Sequence, residues 1–156
     1  METHFSKKYV QDVVERYCAK NPGEDIRLRI EELLASKESC TSRKNFFGHI
    51  TASAFVLDSA LSKILLVHHK IFDRLLQPGG HVEGTDATFL QAAMRELAEE
   101  TGFTHILPVL IDTIRPDTPF DIDIHTIPEN QKNRNRNTCI LIFATYSYCK
   151  TVNGER

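Results

Sequence analysis

No apolar run in this sequence approaches the ~20 residues needed to cross a bilayer, and the N-terminus (Met1–Lys8) lacks an apolar core of signal-peptide length. Charge of one sign is also lacking: the formal net charge is −2 and the basic residues are scattered. No global positive field exists to attract a polyanion, so neither nucleic acid nor a membrane is an expected partner. A phosphate-rich ligand would need a local device, such as a bound metal. Cys18, Cys40, Cys139 and Cys149 are widely spaced and form no Cys-x-x-Cys pair. Neither a disulfide framework nor a zinc ribbon is expected, and the expectation is reduced thiols in a cytoplasmic protein.

What is present is ordinary for a globular chain: 41% hydrophobic and 26% charged residues in 156, enough for one compact core. Val10, Val13, Val14, Tyr17 and Cys18 recur at helical spacing. After the Asn21-Pro22-Gly23 break, Ile26, Ile30, Leu33 and Leu34 resume it, which predicts two short helices over 6–36. Residues 37–45 form a polar connection. Ile50–Leu57 predicts a strand, and the continuous run Ile64–Val67 predicts a short strand buried on both faces. Residues 71–85, broken by Pro78-Gly79-Gly80 and Gly84, predict a loop. A helix is expected from Asp86 to Thr101, closed by Gly102. Further strands are expected at Ile106–Ile111, Asp121–Thr126 and Cys139–Tyr148, giving an α/β chain with a mixed sheet and helices packed on it.

The chemistry concentrates in Gly79-Gly80-His81-Val82-Glu83-Gly84 and in Arg95–Phe103. At about 100° per residue, Glu99 lies about 60° to one side of Glu96 and Glu100 about 40° to the other. Three carboxylates therefore share one helical stripe, while Leu90, Ala93 (or Met94) and Leu97 form another that can pack on the sheet. Like charges at this spacing repel by a few tenths of a kcal/mol, and a divalent cation between them reverses the sign. Mg2+ suits such an oxygen-only set and commonly bridges to phosphate. Glu-x-x-Glu-Glu alone is most often a solvated acidic face. The Gly-Gly turn, the Arg before the first Glu and the closing Gly shift that balance.

This constellation resembles the signature of the Nudix hydrolases, Gly-x5-Glu-x7-Arg-Glu-U-x-Glu-Glu-x-Gly-U, with U aliphatic or aromatic. Arg95–Phe103 match the second half fully. In the first half Asp86 stands for Glu, and eight residues rather than seven separate it from Arg95. The resemblance implies a Nudix fold, a mixed sheet sandwiched by helices. It divides the chain into an N-terminal helical extension with linker (1–45) and a Nudix domain (46–156). It also implies Mg2+, or Mn2+, held by Glu96, Glu99, Glu100 and the Gly80 carbonyl. Arg95 would orient the carboxylates, and Glu99 or Glu100 would be the general base on the attacking water. The implied substrate is a nucleoside diphosphate derivative or similar small molecule.

His68-His69-Lys70, Leu76–Glu83 and Asp121–Pro128 resemble one bacterial branch of that family. By that resemblance His68, His69, Lys70, His81, Asp123 and His125 contact substrate. The competing reading of each histidine is a half-buried, hydrogen-bonded residue, and a separate zinc site is weaker still. The branch continues after Ile-Pro with a stretch such as Glu-Pro-Glu-His-Leu-His-Tyr-Asp-Val-Arg-Phe, whereas Arg134–Ala144 here shares almost nothing with it. Read one base out of register, with codons chosen among synonyms, Asn137–Lys150 yields Glu-His-Leu-His-Phe-Asp-Ile-Arg-Tyr-Leu-Phe-Leu-Leu-Gln. The expectation is a single-base slip near Lys132-Asn133, with a missing or altered C-terminal helix and impaired activity. The uncovered sheet face would then be closed by the N-terminal helices or a homodimer, or stay exposed. Two other functions compete: a catalytically weak Nudix-fold module that binds a nucleotide or a protein, and an isoprenoid diphosphate isomerase.

Overall fold

In a computed structural model, residues 5–23, 26–45, 47–58, 60–70, 73–103, 117–127 and 138–148 are described. Two helices come first, α1 (Lys7–Lys20) and α2 (Arg27–Ala35). Ser6 caps α1 by accepting the Tyr9 N–H, and Val10, Val13, Val14 and Tyr17 are buried, as the spacing predicts. Next come β1 (Gly48–Leu57), β2 (Val67–His69), β3 (Arg74–Leu76), β4 (Gly79–His81), α3 (Phe89–Thr101), β5 (Asp121–Ile127) and β6 (Thr138–Tyr148). The main sheet has the order β4-β1-β6-β5. Its β1/β6 pair is parallel, and its other two pairs are antiparallel. The expected α/β architecture with a mixed sheet is present, and β2 and β3 form a separate antiparallel ribbon.

Alternation along β1 gives the sheet two different faces. Ile50, Ala52, Ala54 and Val56 join Ile122 of β5 and the buried apolar residues of α1, α2 and α3 in one core. The other face of β1 carries His49, Thr51 and Ser53, which are also buried. Register across the sheet places His81 beside Thr51, and Asp123 and His125 beside Ile142 and Ile140 of β6. Ile142 and Ile140 in turn pair with Thr51 and His49, so His81, Asp123 and His125 belong to this second, polar face.

Three expectations change. The Ile64–Val67 segment is not a strand buried on both faces: Ile64 makes a single bridge to Leu57, and Ile64 and Leu66 are 43% and 38% exposed. The cause is the preceding turn, where the Asp58 carboxylate accepts from Ser62 N, Ser62 Oγ and Lys63 N. Only Leu65 of this stretch packs on the core, its N–H donating to the Val56 carbonyl. The 71–85 loop contains β3 and β4; Gly79-Gly80 has little strand propensity and is ordered by pairing with β1. The central helix starts at Phe89 rather than Asp86, because the Thr88 hydroxyl accepts the Gln91 N–H as N-cap. Its buried stripe is Phe89, Ala92, Ala93 and Leu97, with Leu90 only half-buried. The strand expected at Ile106–Ile111 and the start of the altered segment at 132–137 lie outside the described residues, as does the end of the chain after Tyr148. No helix among the described residues is long and apolar enough to cross a membrane.

Candidate active site

Helix α3 runs against the edge strand β4, and Gly80 is what lets it come close. A Cβ on Gly80 would overlap the Glu96 carboxylate, so Glu96 occupies the space a side chain would need. One turn on, the Glu100 carboxylate accepts the Gly79 N–H at 3.0 Å. Gly79 faces the opposite way: a Cβ there would run into Ser53 and the Ala52 carbonyl of β1. The two glycines thus serve separate purposes, one closing the sheet and the other admitting a carboxylate.

Arg95 organises the acidic groups with all five of its N–H donors. Nε and Nη2 form a fork on Asp86 at 3.1 and 3.0 Å, and Nη2 also reaches the His81 carbonyl at 2.8 Å. Nη1 serves Glu96 at 3.0 Å and Glu99 at 3.2 Å. Asp86 is 2% exposed and also accepts the Glu83 N–H at 2.8 Å. The extra residue between Asp86 and Arg95 is therefore absorbed before the helix, and Asp86 still meets the arginine. Its hydrogen bonds to Asp86, more than any other cause, raise the Arg95 pKa. Glu96 is shifted upward by burial, in spite of Arg95, with Glu99 and Glu100 adding to the rise.

The donor chemistry fits a hard divalent cation: carboxylate oxygens on one stripe, a backbone carbonyl at Gly80, and a charge crowding that a cation would relieve. As arranged, Glu99 turns to Arg95 and Glu100 to the Gly79 N–H. Among the described residues, no three His, Cys, Asp or Glu side chains converge closely enough to make a ready-formed metal centre.

The six residues expected to meet substrate fall in three places. His68 lies on the β2–β3 ribbon and bonds Asp73 at 2.9 Å; His69 is half-buried beside it and Lys70 exposed. His81 turns its ring to the polar face, away from Glu96, where its Nε2 meets His49 Nε2 at 2.9 Å with the rings stacked. Burial, then Arg43 and His49, push the His81 pKa down to about 4, and burial followed by Arg43 lowers His49. Both rings are neutral near pH 7. His49 Nδ1 has no hydrogen-bond partner and is buried. Asp123 and His125 of β5 bond each other at 3.1 Å on that same polar face. Asp86, half-credited by the sequence, and His49, which no local motif marks, are what spacing alone missed.

The NUDIX domain model matches residues 48–149, most of the chain. No curated protein matches it. Among solved structures, the chain is similar to a NUDIX hydrolase from Nitrosomonas europaea at 24% identity and a TM-score of 0.45, over 70% of this chain and 64% of that one. A NUDIX-family hydrolase from Clostridium perfringens is similar at 22% identity and a TM-score of 0.46, over 69% and 72%. The NUDIX domain of Shewanella oneidensis NrtR, complexed with ADP ribose, is similar at 20% identity and a TM-score of 0.36, over 74% and 69%. The chain spans less than two thirds of the Nitrosomonas protein, and the domain match alone carries the family assignment.

Proposed function

The chain belongs to the NUDIX domain family, and on that premise we propose that it hydrolyses a diphosphate linkage in a nucleoside diphosphate derivative or similar small molecule, using Mg2+. One observation supports this most: Glu96 and Glu100 lie against the side-chain-free edge of Gly79-Gly80, with Arg95 spanning Asp86, Glu96 and Glu99. Gly80, Glu96, Glu99 and Glu100 would hold the cation. When bound, Mg2+ polarises a phosphoryl oxygen and acidifies the attacking water. Arg95 fixes the carboxylates through directed, charge-assisted bonds. Glu99 or Glu100 would accept the proton of the water; Glu99 is held by Arg95 and Glu100 by the Gly79 N–H.

Substrate phosphate is proposed to meet His68, His69 and Lys70, with His81, Asp123 and His125 extending the polar site from the other face of the sheet. The division at 45/46 into extension and Nudix domain is kept as a proposal, supported by a matched span that begins at residue 48. The frame change near Lys132-Asn133 is likewise a proposal, supported by the out-of-frame reading of Asn137–Lys150. Sequencing the gene tests it: codons that give no branch pattern in another frame end the idea.

A second reading, a Nudix-fold binding module with weak turnover, is favoured by the absence of a converged three-ligand group among the described residues. Mg2+-dependent turnover of a panel of nucleoside diphosphate derivatives, ADP-ribose included, separates the two. Hydrolysis stopped by a chelator supports the enzyme, and weaker turnover than the frame-restored protein supports impairment. Binding without cleavage in both versions supports the module. Turnover of isopentenyl diphosphate instead would indicate the isomerase.

A further inference from the structure

Helix α1 lies outside the matched span 48–149, yet it holds the carboxylate helix at its first residue. The Phe89 N–H is one of the donors that a helix start leaves without an intrahelical acceptor, and it donates to the Tyr9 hydroxyl at 3.0 Å. Arg16 of α1 also holds Asp117 at 3.0 Å, and the Asp117 charge acts on that same hydroxyl. Burial shifts the Tyr9 pKa upward, so the hydroxyl stays neutral as it accepts from Phe89. The Tyr9 ring packs against Phe5 and Phe89 at centroid distances of 5.3 Å, and Phe89 is fully buried.

We infer that Tyr9 is a positioning residue: its hydroxyl, bonded to the first N–H of α3, fixes where Glu96, Glu99 and Glu100 stand against Gly79-Gly80 and so sets divalent-cation affinity. This rests on the proposed reading of those carboxylates as cation ligands. The Gln91 N–H is served by Thr88 from the same segment, and that bond travels with the helix. The Tyr9 bond comes from another element and opposes sliding or tilting. Seven residues of helix carry a displacement at Phe89 about 10 Å to Glu96. There, a shift of about 1 Å breaks contacts such as Gly79 N–H to Glu100 at 3.0 Å.

Tyr9→Phe keeps the aromatic ring and removes only the oxygen; Val13→Ala truncates a buried residue of α1 and loosens the same helix without touching the hydroxyl. Free Mn2+ measured by electron paramagnetic resonance gives cation affinity per folded molecule, and amide exchange reports the Phe89 N–H directly. Tyr9→Phe should weaken Mn2+ binding about 3- to 10-fold, short of the loss typical for groups that bond a ligand directly. It should also speed Phe89 exchange, with Val13→Ala keeping wild-type affinity. The inference alone is overturned if wild type binds Mn2+ and Tyr9→Phe binds it equally well, or if Val13→Ala weakens binding as much. Wild-type protein that binds no Mn2+ overturns the cation reading itself and this inference with it.

Discussion

Replacing Gly80 with alanine puts a methyl group where the Glu96 carboxylate now lies, with Glu96 Oε1 at 2.6 Å from the new carbon. Normal van der Waals separation requires the carboxylate to retreat by roughly 1 Å. The atoms met are the far end of a flexible side chain, so the backbone need not move. Glu96 instead leaves its 3.0 Å bond to Arg95. A misplacement of this size at a reacting centre can lower kcat/KM by about 100-fold. The folding cost should be about 1 kcal/mol, partly offset because alanine restricts the unfolded chain.

Gly79→Ala supplies the contrast. Its methyl group meets Ser53 Cα at 2.6 Å and the Ala52 carbonyl oxygen at 2.7 Å, which belong to the backbone of β1 and cannot swing away. Here the cost should reach about 3 kcal/mol, or roughly 6–12 °C in Tm for a chain of this size. Thermal unfolding by circular dichroism, beside Mg2+-dependent turnover, reads both effects. Gly80→Ala should lose activity with Tm within a few degrees of wild type, and Gly79→Ala should lose Tm. Full activity in Gly80→Ala, or equal Tm losses in the two variants, would refute the assignment of Gly80 to Glu96 and Gly79 to the sheet.

Asp86→Ala removes the buried partner of the Arg95 fork; because Arg95 keeps Glu96, Glu99 and the His81 carbonyl, the loss should sit near the lower end for broken buried pairs, about 3 kcal/mol by urea unfolding. Arg95→Lys offers three donors for five acceptor contacts and should lower turnover at least about 10-fold, with KM changed less than kcat. The His81 ring, ordinarily near 6.5 and held at about 4, is neutral in the folded chain while the unfolded chain takes up a proton first. Its contribution is therefore complete above pH 6.5 and lost as pH falls from 6.5 to about 4. Discounted for the solvent-facing part of the ring, this amounts to roughly 1–2 kcal/mol. Urea unfolding at both ends of the window should show it, and His81→Phe should flatten the dependence.

The core elements were legible because their periodicity is local. Val10, Val13, Val14 and Tyr17 of α1 announce a buried stripe before any tertiary contact is known. The carboxylate stripe of α3 was legible for the same reason. What stayed hidden depends on distant partners. Gly79-Gly80 looks like a turn until β1 pairs with it, and the stacking of His81 on His49 comes from another strand that no local pattern marks. Ile64–Leu66 misled because hydrophobicity alone does not reveal that the Asp58 turn aims two of three side chains outward. Tyr9 carries no motif at all; its partner is 80 residues away.

The most direct test of metal-dependent hydrolysis on α3 is isotope incorporation from labelled water during incubation with a nucleoside diphosphate derivative and Mg2+. The account predicts label in a phosphate-containing product, dependent on Mg2+, and lost in Glu99→Gln combined with Glu100→Gln while the fold is retained. Label that persists in that variant, or substrate bound and left intact by the wild type, would contradict it.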